Sequence, residues 1–164
     1  MMSTLPKVAH EHHERLLQHV DALPALGDAI GTVTPAELRP RVDEAAGFLT
    51  GLLLPHMGAA ETTLYPELER LLQNRHSMTP MRREHAEIRR LVDELVRLQA
   101  DLDAGHFSTG ETVALRRVVF RLYAMLKVHL AEEQLYLHLI EQGVSPDAAD
   151  ELAAAMQHAG IPEA

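Results

Sequence analysis

The chain has 164 residues, a formal net charge of −9 and 46% hydrophobic residues, which fits one domain with a sizeable core and excludes a chain disordered by composition. It contains no Cys, so disulfides, thiolate ligands and Cys nucleophiles are excluded. The acidic balance argues against nucleic acid or anionic lipid as the main partner, and 11 His against 3 Phe, 3 Tyr and no Trp is an unusual excess of imidazole.

The N-terminal stretch MMSTLPKVAHEHHERLL lacks an apolar h-region, so no secretory signal is expected. Charges interrupt every apolar run before it reaches membrane-spanning length, so a cytoplasmic protein with no membrane partner is expected. A first helix is predicted from Leu16, Val20 and Leu23, spaced by four and three residues, with Pro24 and Gly27 marking its end. Thr34 can cap a second helix with Pro35 in its first position. Pro55 and Pro66 should kink or break that helix before it resumes through ELERLL. After a QNRHSM loop, Thr79–Pro80 starts a third helix running to about Ala104, before Gly105. A fourth starts near Gly110–Glu111 and stops at Gly143, and Ser145–Pro146 caps a short fifth helix over about 145–159. Short connections between long amphipathic helices imply an all-α, antiparallel up-down four-helix bundle over about 8–142, within a single domain of residues 1–164.

The two halves repeat each other weakly. From His13, apolar residues follow at +3, +7 and +10 (Leu16, Val20, Leu23); from His85 they follow at the same offsets (Ile88, Val92, Leu95). The second and fourth helices each place a His after an apolar run, then Glu, then Leu-Tyr: His56, Glu61, Leu64-Tyr65 and His129, Glu133, Leu135-Tyr136. His56 follows His13 by 43 residues and His129 follows His85 by 44. Facing halves would bring four His and two Glu to one level of the core. Unpaired buried carboxylates cost several kcal/mol, and one or two divalent cations neutralise them most simply; imidazole with carboxylate suits Fe, Mn or Zn.

The segments HHERLL, LPHMGAAETTLYPEL, REHAEIRRL and KVHLAEEQLYLHLIE, within about residues 8 to 142, resemble the hemerythrin-like, or HHE cation-binding, family. The resemblance implies an antiparallel four-helix bundle with a non-haem, usually di-iron, centre. It carries the metal ligands over to His13, His56, Glu61, His85, His129 and Glu133. The expected cofactor is thus non-haem iron, two per chain, and the expected partner a small diatomic or peroxide ligand, with any protein partner unspecified. Three positions depart from the family pattern. The acid often found four residues after the second-helix His is Ala60 here, with Glu61 at five, a spacing that oxygen-carrying members show on the fourth helix. The second His that oxygen carriers have on the third helix is Arg89, which would leave a coordination position open for an oxidant. His12 and His13 compete on the first helix, with His13 preferred on its spacing, and Glu132 is the reserve for the fourth helix.

Tyr65 and Tyr136 are expected at the bundle rim with wet hydroxyls, the alternative being a place near the site. His10, His19, His76, His106, His138 and His158 read as surface or end positions, the Arg-rich patches as solvated helix faces, and Met as core filler. The chain has no Glu-x-x-His and no HExxH, which argues against a ferritin-like oxidase and a zinc protease. The functions that follow are a protein that binds, senses or reduces oxygen, peroxide or nitric oxide; an iron-sensing or storage module; or a metal-free helical interaction domain.

Overall fold

The structure, a computed structural model, describes the backbone of residues 5–143 except His106, together with Ser145, Asp147, Ala148, Glu151 and Ala154; side chains are described from Glu11 onward, except Glu141. Every regular element among these residues is helical. Helix α1 spans Leu5–Ala29. A continuous helical rod, α2, runs over 35–71. Helix α3 spans Thr79–Asp103 and α4 spans Thr109–Gly143. No helix among the described residues is long and apolar enough to cross a membrane.

Helix α1 does not end at Pro24. It runs through the proline to Ala29 because Leu26, Ala29 and Ile30 are all buried beyond it. Packing burial there outweighs the single hydrogen bond that Pro24 cannot donate. Gly27 is a packing glycine: a Cβ at this position would lie 2.7 Å from the Phe120 ring of α4. The chain turns instead at Gly31, whose φ of 85° is in the left-handed region that glycine adopts without strain.

The predicted start of α2 is a complete capping box. Thr34 N–H donates to Glu37 Oε2 at 2.9 Å, and Glu37 N–H donates to Thr34 Oγ1 at 3.3 Å. Thr34→Ala is expected to destabilise the chain by about 1 kcal/mol, read by urea denaturation; an unchanged midpoint would show that the cap contributes nothing.

Pro55 and Pro66 neither break nor sharply terminate α2. Each is preceded by one π turn, Leu49–Leu53 and Ala60–Leu64. In each case the residue just before the proline donates five residues back, Leu54 N–H to Leu49 O and Tyr65 N–H to Ala60 O. A proline has no N–H for the next rung, so the ladder loosens by one residue there and then continues.

The helices meet in opposed registers. Along α1 and α4, His13 reaches Gln134 and Asp21 pairs with Lys127. Along α2 and α3, Arg39 pairs with Asp103, Glu61 with His85, and Glu69 with Arg82. Along α1 and α2, His12 meets His56 and His19 stacks on Phe48. Arg90 and Arg121 share Glu87 on the solvated face, the kind of exposed ion pairing expected of the Arg-rich patches and worth little to stability.

Among the described residues, two apolar clusters fill the interior. The larger includes Leu16, Val20, Leu53, Met57, Ile88, Val92, Leu126 and Leu130. The smaller comprises Ala60, Leu64, Tyr65, Leu68, Met78, Met81, Leu137 and Ile140. On α3 and α4 the switch from one cluster to the other falls at His85 and Glu133, so a polar layer interrupts the core. Beyond α4, Ser145 Oγ accepts from Ala148 N–H at 3.3 Å. Most of the expected fifth helix over 145–159 lies outside the described residues.

Candidate metal centre

Among the described residues, six polar ones are buried in the interior: His12, His13, His56, His85, His129 and Glu133. Glu133 is fully buried, and its Oε2 lies 2.9 Å from His56 Nε2 and 3.4 Å from His13 Nε2. His13, His56 and Glu133 bring one ligand atom each within 4.8 Å of one another, a grouping able to hold a metal ion. In the other half of the layer, His85 Nε2 faces His129 Nε2 at 3.0 Å, and the Tyr65 hydroxyl lies 3.0 Å from His85 Nε2.

What fixes these rings is the partner behind each one. His13 Nδ1 meets Gln134 Oε1 at 3.0 Å, and His56 Nδ1 meets His12 Nε2 at 3.0 Å. His85 Nδ1 meets Glu61 Oε1 at 2.7 Å, and His129 Nδ1 meets Glu84 Oε2 at 2.8 Å. Ionised carboxylates only accept, so Nδ1 of His85 and of His129 carries the proton. Their inward Nε2 atoms then present lone pairs to each other, an arrangement that repels unless a proton or a cation lies between. Outer partners of this kind fix tautomer and raise basicity in metal-ligating histidines.

Further evidence that the residues fit a cation comes from buried atoms that make no hydrogen bond. His13 Nε2 and Glu133 Oε1 are buried with no hydrogen bond. Orphaned buried polar atoms are costly, and a cation satisfies both. Burial pushes the Glu133 carboxyl up, but His56 and His13 facing it outweigh burial and hold it well below the usual carboxylate range. Burial pulls His13 down, yet the facing Glu133 and Gln134 raise it above its ordinary value. Burial, then the neighbouring His129, lowers His85 to about 4. Burial, then His56, His13 and Arg15, lowers His12 to about 4. The two depressed imidazoles stay neutral, the form in which imidazole binds metal or accepts a hydrogen bond.

Five of the six expected ligands, His13, His56, His85, His129 and Glu133, therefore lie in one buried layer. Glu61 stands apart from their inward atoms. It is a quarter exposed, sits behind His85, and accepts a second bond from Arg89 Nη1 at 2.9 Å. Burial raises its pKa, while Arg89 and His85 outweigh that and lower it. Arg89 thus reaches back to Glu61 on the outer side of His85. His12 lies behind His56, which leaves His13 beside Glu133. Glu132 is half-buried.

Tyr65 departs from the rim position expected of it. Its side chain is fully buried, its hydroxyl faces the imidazoles, and Arg82 lies over its ring at 5.4 Å from the centroid. Burial, reinforced by Glu133, raises its pKa above the ordinary phenol value. Tyr136 is half-buried against the smaller cluster. His19, His76 and His138 are exposed as expected; the side chains of His10, His106 and His158 lie outside the described residues. Gln134, Glu84 and the supporting role of His12 were not legible in sequence. An acid next to His85 and an amide next to Glu133 were the available signals.

A helical fold with a buried His and Glu layer, its rings backed by polar side chains, fits a cation-binding helical protein. The hemerythrin HHE cation binding domain matches residues 4–140, and the chain belongs to that family. No curated protein and no solved structure matches the chain.

Proposed function

We propose that this chain is a non-haem iron protein, a single antiparallel up-down four-helix bundle domain holding two irons, that binds, senses or reduces a small oxidant such as oxygen, peroxide or nitric oxide in the cytoplasm. The observation that carries the reading is the set of four imidazoles with Nδ1 on a hydrogen-bond partner and Nε2 turned inward beside a buried carboxylate. The opposed registers of the helix pairs support the bundle.

His13, His56 and Glu133 would hold one cation, and His85 and His129 the other. Glu133 supplies the inward negative charge beside His13 and His56. Bound iron supplies the one-electron redox and Lewis-acid chemistry that imidazole and carboxylate lack. The chain's own part is positional. Gln134, His12, Glu61 and Glu84 hold the rings in one tautomer. The apolar clusters on either side keep bulk water from the layer.

Metal analysis with an absorption spectrum tests this. About two irons per chain with near-ultraviolet oxo-bridged bands are expected, with peroxide turnover lost in His56→Ala if the protein is an enzyme. Colourless protein whose melting is unmoved by chelators would overturn the proposal in favour of a metal-free helical scaffold. Iron uptake that changes proteolysis without any turnover would favour a sensing or storage module.

A further inference from the structure

The two halves of the polar layer are unequal. The half formed by α1 and α2 receives two imidazoles and the inward carboxylate of Glu133. The half formed by α3 and α4 receives two imidazoles, and its two nearest acids, Glu61 and Glu84, are engaged behind the rings at Nδ1. Its inward oxygen is the hydroxyl of Tyr65, 3.0 Å from His85 Nε2.

We infer that the α3–α4 half is where a small anion docks, and that the Tyr65 hydroxyl donates the hydrogen bond that holds it. The inference rests on the reading of the layer as a metal centre. With Nδ1 of His85 protonated toward Glu61, the hydroxyl of Tyr65 has the Nε2 lone pair of His85 as its acceptor. A cation at His85 and His129 takes that lone pair. Tyr65 is then a donor in a fully buried position with nothing to donate to. Such a donor is costly unless an acceptor enters beside it. The same cation has two imidazoles and no inward carboxylate dedicated to it, so it is short of both charge and ligands. One small anion, such as hydroxide, hydroperoxide or azide, meets both needs. Large anions are excluded because Leu64, Leu68, Met78 and Met81 pack around Tyr65 in the same cluster.

The test uses the iron-loaded full chain and azide as the probe. Tyr65→Phe keeps the buried ring and removes only the hydroxyl. The variant should load iron as the unmodified chain does and bind azide roughly 10–100-fold more weakly, the loss expected for one hydrogen bond to a charged acceptor. Tyr136→Phe, on the repeated position of α4, should leave azide affinity unchanged. Loaded Tyr65→Phe with unaltered azide affinity overturns the inference while leaving the metal centre intact. So does a visible phenolate-to-iron band that disappears in Tyr65→Phe, because Tyr65 is then itself the ligand. A chain that takes up no metal overturns the functional reading and this inference with it.

Discussion

Glu133→Gln is expected to abolish metal binding at the His13–His56 position while leaving the helices in place. The amide keeps the volume of the carboxylate, so the neighbouring Leu130 and Leu137 lose little packing. What disappears is the inward carboxylate's charge, which His56 and His13 face at 2.9 and 3.4 Å. Loss of an outer partner of a ligating His typically costs roughly 10–100-fold in metal affinity; loss of the inward anion should exceed that range. Glu133→Ala adds a second effect. It leaves the raised His13 imidazole without its counter-charge in a fully buried layer, and breaking such a pair costs about 3–5 kcal/mol. Chelator competition reads the first effect and urea denaturation of the metal-free chain reads the second. Metal retention by Glu133→Gln equal to that of the unmodified chain would remove Glu133 from the centre.

These two variants separate what a sequence can state about such a site from what it cannot. His13 and His85 are legible because each heads the same apolar register, and every member of that register, Leu16, Val20, Leu23, Ile88, Val92 and Leu95, is buried. Helical period alone carries that information. Tyr65 was misread for a physical reason. Nine residues past His56 on an uninterrupted α-helix, it would face about 180° away. The π turn over Ala60–Leu64 takes up an extra residue and brings it round to the core. The prolines announced an irregularity, but their sequence does not say whether the helix kinks, breaks or loosens. Gln134, Glu84 and His12 depend on how far neighbouring helices are rotated about their own axes, a property of packing between rods. Pro24 and Gly27 were read as a terminus by local rules, and the apolar residues following them overrule those rules. Glu61 shows the same limit: its spacing from His56 differs from that of Glu133 from His129, and the structure turns it behind His85.

The metal-free chain should lose stability steeply as pH falls from about 6.5 to 4. His85 and His12 both have folded values near 4, against about 6.5 for an unfolded imidazole. Between those values the unfolded chain binds protons that the folded layer refuses, so stability rises with pH across the window and is lost on acidification. For fully buried His85 the loss reaches about 3 kcal/mol by the bottom of the window. His12 acts in the same direction. Glu133 extends the decline further down, since its depressed carboxyl contributes stability above an unfolded value of about 4.3 that is lost as pH falls through its folded value. His13 has the opposite sign: its raised value gives stability fully present below about 6.5 and lost as pH rises through the folded value. One raised group against two lowered ones leaves the metal-free chain most stable near neutrality, with the steeper flank on the acid side. Urea midpoints at pH 7, 5.5 and 4.5 measure the slope. His12→Gln, whose amide can donate to or accept from His56 Nδ1, should flatten it by removing one titrating ring. A midpoint constant from pH 6.5 to 4.5 would mean that these imidazoles are already protonated or open to water when the metal is absent, and that the cation, rather than the packing of α1 to α4, closes the layer.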